Sequence, residues 1–151
     1  MRGVRLMASW VLALFLAAMF LWLADLMLLQ PPANGAGPVF SILADSSGIA
    51  YFEPSGRLGV GIVEVVAALL LLLPFTRRIG AILGVLIAVG AVAMAAQLVM
   101  LGIKIPIPGK GEADAGGLLY LGIALLVLSL LLVFVHPGRA KDDNPNYYER
   151  R

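Results

Sequence analysis

An all-α, integral membrane four-helix bundle is the fold class this sequence predicts, and three observations predict it. Of 151 residues, 61% are hydrophobic and only 13% charged, about half the roughly one quarter charged that soluble domains carry. Four apolar runs, about 6–29, 58–75, 79–103 and 116–135, approach the ~20 residues that cross a hydrocarbon core of about 30 Å. The links between them are short, polar, or rich in Pro and Gly. A soluble domain of this length has too little interior to hide so much apolar side chain, so the expected solvent is lipid.

The first run follows a short basic start, Met1 to Arg5. It is longer than the apolar core of a cleaved leader, about 7–15 residues, and Gln30-Pro31-Pro32 follows it in place of a small-residue cleavage site. A retained span is therefore expected. The segment 31–56 is long for a link and rich in Pro, Gly, Asn and Ser. Within it Pro38 to Asp45 predicts a short amphipathic helix ended by Ser46-Ser47-Gly48, with Phe40, Tyr51 and Phe52 suited to a headgroup-level position. Ser55 is the expected cap of the second span. That span ends at Pro74, and the turn Thr76-Arg77-Arg78 is so short that the third must run back beside it. The third span carries Gly80, Gly84, Ala88, Ala91 and Ala95, a small-residue seam that admits close helix packing. Lys104 to Ala115 is expected as a polar loop. The fourth span is stopped by His136-Pro137-Gly138. Residues 1–139 are thus expected to form one transmembrane domain and 140–151 a charged cytoplasmic tail, whose Asn144-Pro145-Asn146-Tyr147 is discounted as a chance sorting motif.

Composition also excludes function classes. The chain has no cysteine, so disulfides, Cys-ligated clusters and dithiol-quinone chemistry are excluded. There is no basic tract or nucleic-acid-reading motif, so no nucleic-acid partner is expected. His136 is the only histidine, and its edge position beside Pro137 does not suggest a haem ligand.

Four spans put both termini and the Arg77-Arg78 turn on one side. That side holds eight of the Lys and Arg residues (Arg2, Arg5, Arg77, Arg78, Arg139, Lys141, Arg150 and Arg151) against three (Arg57, Lys104 and Lys110) on the other. By the positive-inside rule the termini are expected to be cytoplasmic.

The residue that stands out is Glu64. It lies about two turns into an apolar helix, where a charge costs about 2.5–3.5 kcal/mol on insertion scales and marks a functional candidate. At 1.5 Å per residue, Asp25, Glu64, Gln97 and Asp114 all fall in the outer half of the bilayer. Glu112 lies at the same mouth and Tyr120 about two turns inside it, while the inner half is expected to be almost bare of polar groups. The expectation is a buried polar pocket of Asp25, Glu64, Gln97 and Asp114, roofed by Arg57. Arg57 precedes Glu64 by seven residues and is the natural counter-ion for Glu64, Asp25 or Asp114. Each has a plainer reading. Glu64 and Gln97 can be interhelical glue, and Asp25 a hydrated helix end. Asp114 and Glu112 can be carboxylates favoured by a helix N-terminus. Trp10, Trp22 and Tyr120 suit packing or interface anchoring. An all-oxygen metal site of Asp25, Glu64 and Asp114 ranks below these, and no metal is assigned.

Gly-x-x-Glu64 with its leucine tract and "LPFTRRIGA", then Gly90-Ala91, "AQLVMLGI" and "DAGGLLYLGIALLVLSLLLV", resemble the DoxX-like family of small four-helix bacterial membrane proteins. The resemblance runs from about Arg57 to Arg139. Gln97 stands where the family frequently has a histidine, and Asp25 lies near a frequent lysine. The family implies four membrane helices and association with quinone-linked or other redox assemblies. By position it singles out Glu64 and Asp114.

The expected function is a non-catalytic accessory subunit, or an amphiphile- or quinone-binding module, of a larger membrane redox complex. A proton-handling subunit of a quinone-linked oxidoreductase and a small oligomeric transporter are the alternatives. The chain supplies nothing that carries electrons, so catalysis by it alone is not expected. The expected partners are the lipid bilayer and other membrane subunits, and the only cofactor suggested is a quinone or bound lipid.

Overall fold

A computed structural model describes residues 2–31, 33–107 and 111–135. Lys110, the expected stop at His136 and the tail 140–151 lie outside them. The order is α1 (Arg2–Leu28), α2 (Gly37–Ser47), a single 3-10 turn (Ala50–Phe52), α3 (Ser55–Leu72), α4 (Arg77–Met100), β1 (Lys104–Ile107), β2 (Gly111–Asp114) and α5 (Gly116–Val135). The fold is all-α apart from one hairpin. Four of the helices, α1, α3, α4 and α5, are long and apolar enough to cross a membrane.

Those four pack in a ring, α1 on α3, α3 on α4, α4 on α5 and α5 on α1. Neighbours run antiparallel. Gly61 of α3 lies against Met27 and Leu28 of α1, and Gly122 of α5 against Val92 of α4. The core follows from helical spacing. Ala13, Leu16, Ala17 and Phe20 bury one face of α1 against Ala67, Ala68 and Leu71 of α3, Ala81 and Ala88 of α4, and Leu125 and Leu132 of α5. The opposite faces are equally apolar, and Phe15, Leu69, Leu86 and Phe134 are exposed.

The two ends of the bundle are built differently. At one end, the elbow end, Leu73–Thr76 turns α3 into α4. A Cβ on Gly80 would stand 2.8 Å from the Leu71 backbone nitrogen, so the glycine is what lets the two helices touch there. At the other end, the lid end, α2 lies over the bundle. Pro38 opens its first turn and Gly48, at φ +71°, closes it. The Ala36 N–H donates to the Leu26 carbonyl at 3.1 Å, which ties α2 to α1. Leu43 of α2, Leu98, Ile105 and Ala115 form a second small core beneath the lid.

Three local expectations are corrected. Ser55 does not cap α3. It is the first helical residue, after Pro54, and no side chain caps that helix start. The third helix stops at Met100 rather than Ile103, because Gly102 takes φ +63° and the Ile103 N–H turns back to the Leu98 carbonyl at 3.0 Å. The expected loop 104–115 is mostly an antiparallel hairpin, with Lys104 opposite Asp114 and Ile105 opposite Ala113. Ile105 is its buried anchor.

The elbow contact makes a prediction. Gly80→Leu forces a side chain into backbone and is expected to destabilise the fold by about 1–3 kcal/mol. Gly90→Ala, where a Cβ meets nothing within 4 Å, is expected to stabilise it by up to about 1 kcal/mol. Reversible unfolding in mixed detergent, followed by circular dichroism, reads both.

Candidate functional site

Glu64 is 2% exposed. Leucine and alanine neighbours bring it inward: Ala67, Ala68 and Leu71 lie three to seven residues on, hence on the same face of α3, and are all buried. The carboxyl reaches a cavity of ≈ 170 Å³ at the lid end, bounded by all four long helices and covered by Val39, Phe40 and Leu43 of α2. The other walls are apolar, and among the described residues Glu64 is the one ionisable side chain in them. Its Oε2 has no hydrogen-bond partner among the described residues. A second void of ≈ 470 Å³ runs between α3 and α4, and Glu64 lines that one too.

The expected polar pocket does not assemble. Asp25, Gln97, Asp114, Arg57 and Tyr120 are absent from both voids. Arg57 is buried, but it is not the counter-ion of Glu64, Asp25 or Asp114. Its Nε donates to Glu53 Oε2 at 2.9 Å and Oε1 at 3.0 Å, and its Nη1 to the Met27 carbonyl. It therefore straps the start of α3 to the end of α1. Glu53 was not singled out in the sequence, although its spacing of four from Arg57 is a pairing distance. Asp25 is half-buried and accepts from Gln30 Nε2 at 3.1 Å. Gln97 is exposed on α4. Asp114 is exposed and accepts the Gly116 N–H at 2.7 Å, at the first turn of α5. Glu112 is exposed on β2, and Tyr120 is 75% exposed. The helices turn these side chains differently: Glu64 is buried on α3, Asp25 half-buried on α1 and Gln97 exposed on α4. Among the described residues no group of three His, Asp or Glu side chains is placed to hold a metal ion, so the all-oxygen site does not form either.

The elbow half is not bare of polar groups, which is a further correction. Arg77 is fully buried. Its Nε donates to the Leu71 carbonyl at 3.1 Å and its Nη1 to Ser9 Oγ at 3.4 Å, and its guanidinium lies 3.9 Å from the Trp10 ring centroid. Thr76 Oγ1 donates to the Leu70 carbonyl at 3.0 Å. Together they satisfy carbonyls that the end of α3 leaves open. The signal was in the sequence. Arg77 is in helical phase with Ala81, Gly84 and Ala88, so it falls on the small-residue seam. Ser129 of α5 is also fully buried, and its Oγ has no partner among the described residues.

Arg77→Leu is expected to cost about 1–3 kcal/mol by leaving the Leu71 carbonyl without its side-chain donor. Arg77→Lys should restore little of this, because a point charge reproduces neither the fork nor the flat stack on Trp10. Detergent unfolding of the two variants against the parent chain measures both. Comparison of the chain with protein-family models, with curated proteins and with solved structures found no match.

Proposed function

We propose that this chain is a multi-pass membrane bundle that holds the polar head of a lipid-like amphiphile at Glu64, in the cavity beneath α2. The observation that carries the reading is the carboxyl itself. Glu64 is buried, its Oε2 has no partner among the described residues, and the residue lines two voids whose other walls are apolar. A carboxyl buried there without a partner costs free energy, and an O–H···O=C bond donated by Glu64 to a carbonyl of a bound head offsets that cost. Pockets for small ligands have this make-up, apolar walls with a few placed polar groups. An engineered cavity of about 150 Å³ takes one benzene ring, so ≈ 170 Å³ suits a single-ring head such as a quinone's. The apolar outward faces of four helices long enough to span support the bilayer as the surrounding medium.

The chain is read as a non-catalytic accessory subunit of a larger membrane redox assembly. One carboxyl in hydrocarbon walls can bind and orient a ligand but carries no electrons. Kinship with the DoxX-like family belongs to the same proposal and rests on Glu64 and the Asp114-Ala115-Gly116-Gly117 opening of α5. So does placement in a bacterial inner membrane with both termini cytoplasmic.

Two experiments test it. In lipid nanodiscs, native mass spectrometry with a decyl-tailed benzoquinone should show binding to the parent chain. Glu64→Leu should bind about tenfold more weakly, the worth of one good hydrogen bond, and Glu64→Gln should retain most of the affinity. Equal binding by folded Glu64→Leu and parent overturns the reading. Because the chain has no cysteine, single cysteines report topology cleanly. An impermeant maleimide should label Ala33→Cys on intact spheroplasts and Phe75→Cys only after lysis, and the reverse pattern inverts the orientation.

A further inference from the structure

The void between α3 and α4 adjoins the cavity under α2. Met27, Glu64, Ala91 and Met94 stand in the walls of both. It opens to the flank of the bundle, since Gly59, Val63, Leu86 and Gly90 in its walls are exposed. Its shape follows from the elbow. Gly80 holds α3 and α4 in backbone contact at one end, while a Cβ on Gly59 or Gly90 would meet nothing within 4 Å at the other. The wedge-shaped void between the two helices has Gly59 and Gly90 in its walls and is bordered by Glu64, whose buried Oε2 has no partner among the described residues.

We propose that this wedge is the tail channel of the binding site: the hydrocarbon chain of the amphiphile whose head sits at Glu64 leaves the bundle between α3 and α4, over Gly59 and Gly90, into the bilayer. This rests on the reading of Glu64 as a head anchor. The inner cavity has room for about one ring and is covered by α2, so a long chain attached to that ring needs a way out. Adjacency selects this route: Met27 and Met94 stand between the two voids, and unbranched thioether side chains can shift to let a chain pass. The channel does not attract the chain. Lipid is as apolar as the wedge, so moving a tail from one to the other gains little. Its role is steric, and blocking it should exclude tailed ligands only.

The test uses Gly59→Leu and Gly90→Leu in the full chain. Both fill the wedge without touching the cavity, and both exchange a poor helix former for a good one. Ala93→Leu, exposed on α4 and outside both voids, is the control. Native mass spectrometry in nanodiscs reads two probes, decyl-tailed benzoquinone and the same ring with methyl in place of decyl. The parent and the control should bind both. The glycine variants should lose the tailed probe at least tenfold and keep the methyl probe within twofold, with circular dichroism unchanged. Equal retention of both probes, or equal loss of both, overturns the tail channel. A change in oligomeric mass with probe binding intact overturns it as well, since a second copy would then fill the wedge. Failure of the parent chain to bind either probe overturns the Glu64 reading itself and is distinguishable from all of these.

Discussion

The capture of the end of α3 by the start of α4 is the constraint from which the remaining architecture follows. The last carbonyls of a helix have no partners within it, and in an apolar setting they cannot be left open. Arg77 and Thr76 take the Leu71 and Leu70 carbonyls, and Gly80 removes the side chain that would hold the backbones apart. The arginine is not spent on solvation at the turn. Trp10 covers its flat face, which binds α1 to the same knot. With one end so closed, the void between α3 and α4 and the cavity under α2 both lie toward the other end.

The lid end is held by smaller, separate ties. Arg57 joins Glu53 to the carbonyl of Met27, the Ala36 N–H reaches Leu26, and the hairpin places Ile105 under Leu43 and Leu98. These contacts close α2 over the cavity without filling it. They also leave Glu64 without its nearest arginine. A charged residue that was available as a counter-ion acts instead as a strap, and Glu64 Oε2 stays buried without a partner among the described residues.

How much of this was readable depends on which coordinate is asked for. Depth along a helix comes from counting residues, so Glu64, Asp25 and Gln97 could be set on one level. Rotation about the helix axis comes from packing, and it is rotation that separates them: Glu64 in, Gln97 out, Asp25 half-way. The inward turn of Arg77 was legible from its phase with Ala81, Gly84 and Ala88, but a positive charge beside a turn also fits solvation, and that fit concealed it. α2 was legible because Pro38 and Gly48 bracket an apolar stripe. The hairpin was not, since strands of four residues show too few alternations to be told from a loop.

The buried hydroxyl of Ser129 bears on a different question. α5 has a mean hydropathy of 3.0 and is apolar on every side, so in the proposed bilayer its hydrocarbon surface alone hardly favours one azimuth over another. Gly122, set against Val92, and Ser129, beside Gly84, are seven residues apart and therefore lie nearly in line along one edge. Spinning the helix by half a revolution would move a bulky neighbour into the space the glycine now yields and hand the hydroxyl to acyl chains. Two small residues thus act as a keyway, giving an otherwise featureless cylinder one angular setting.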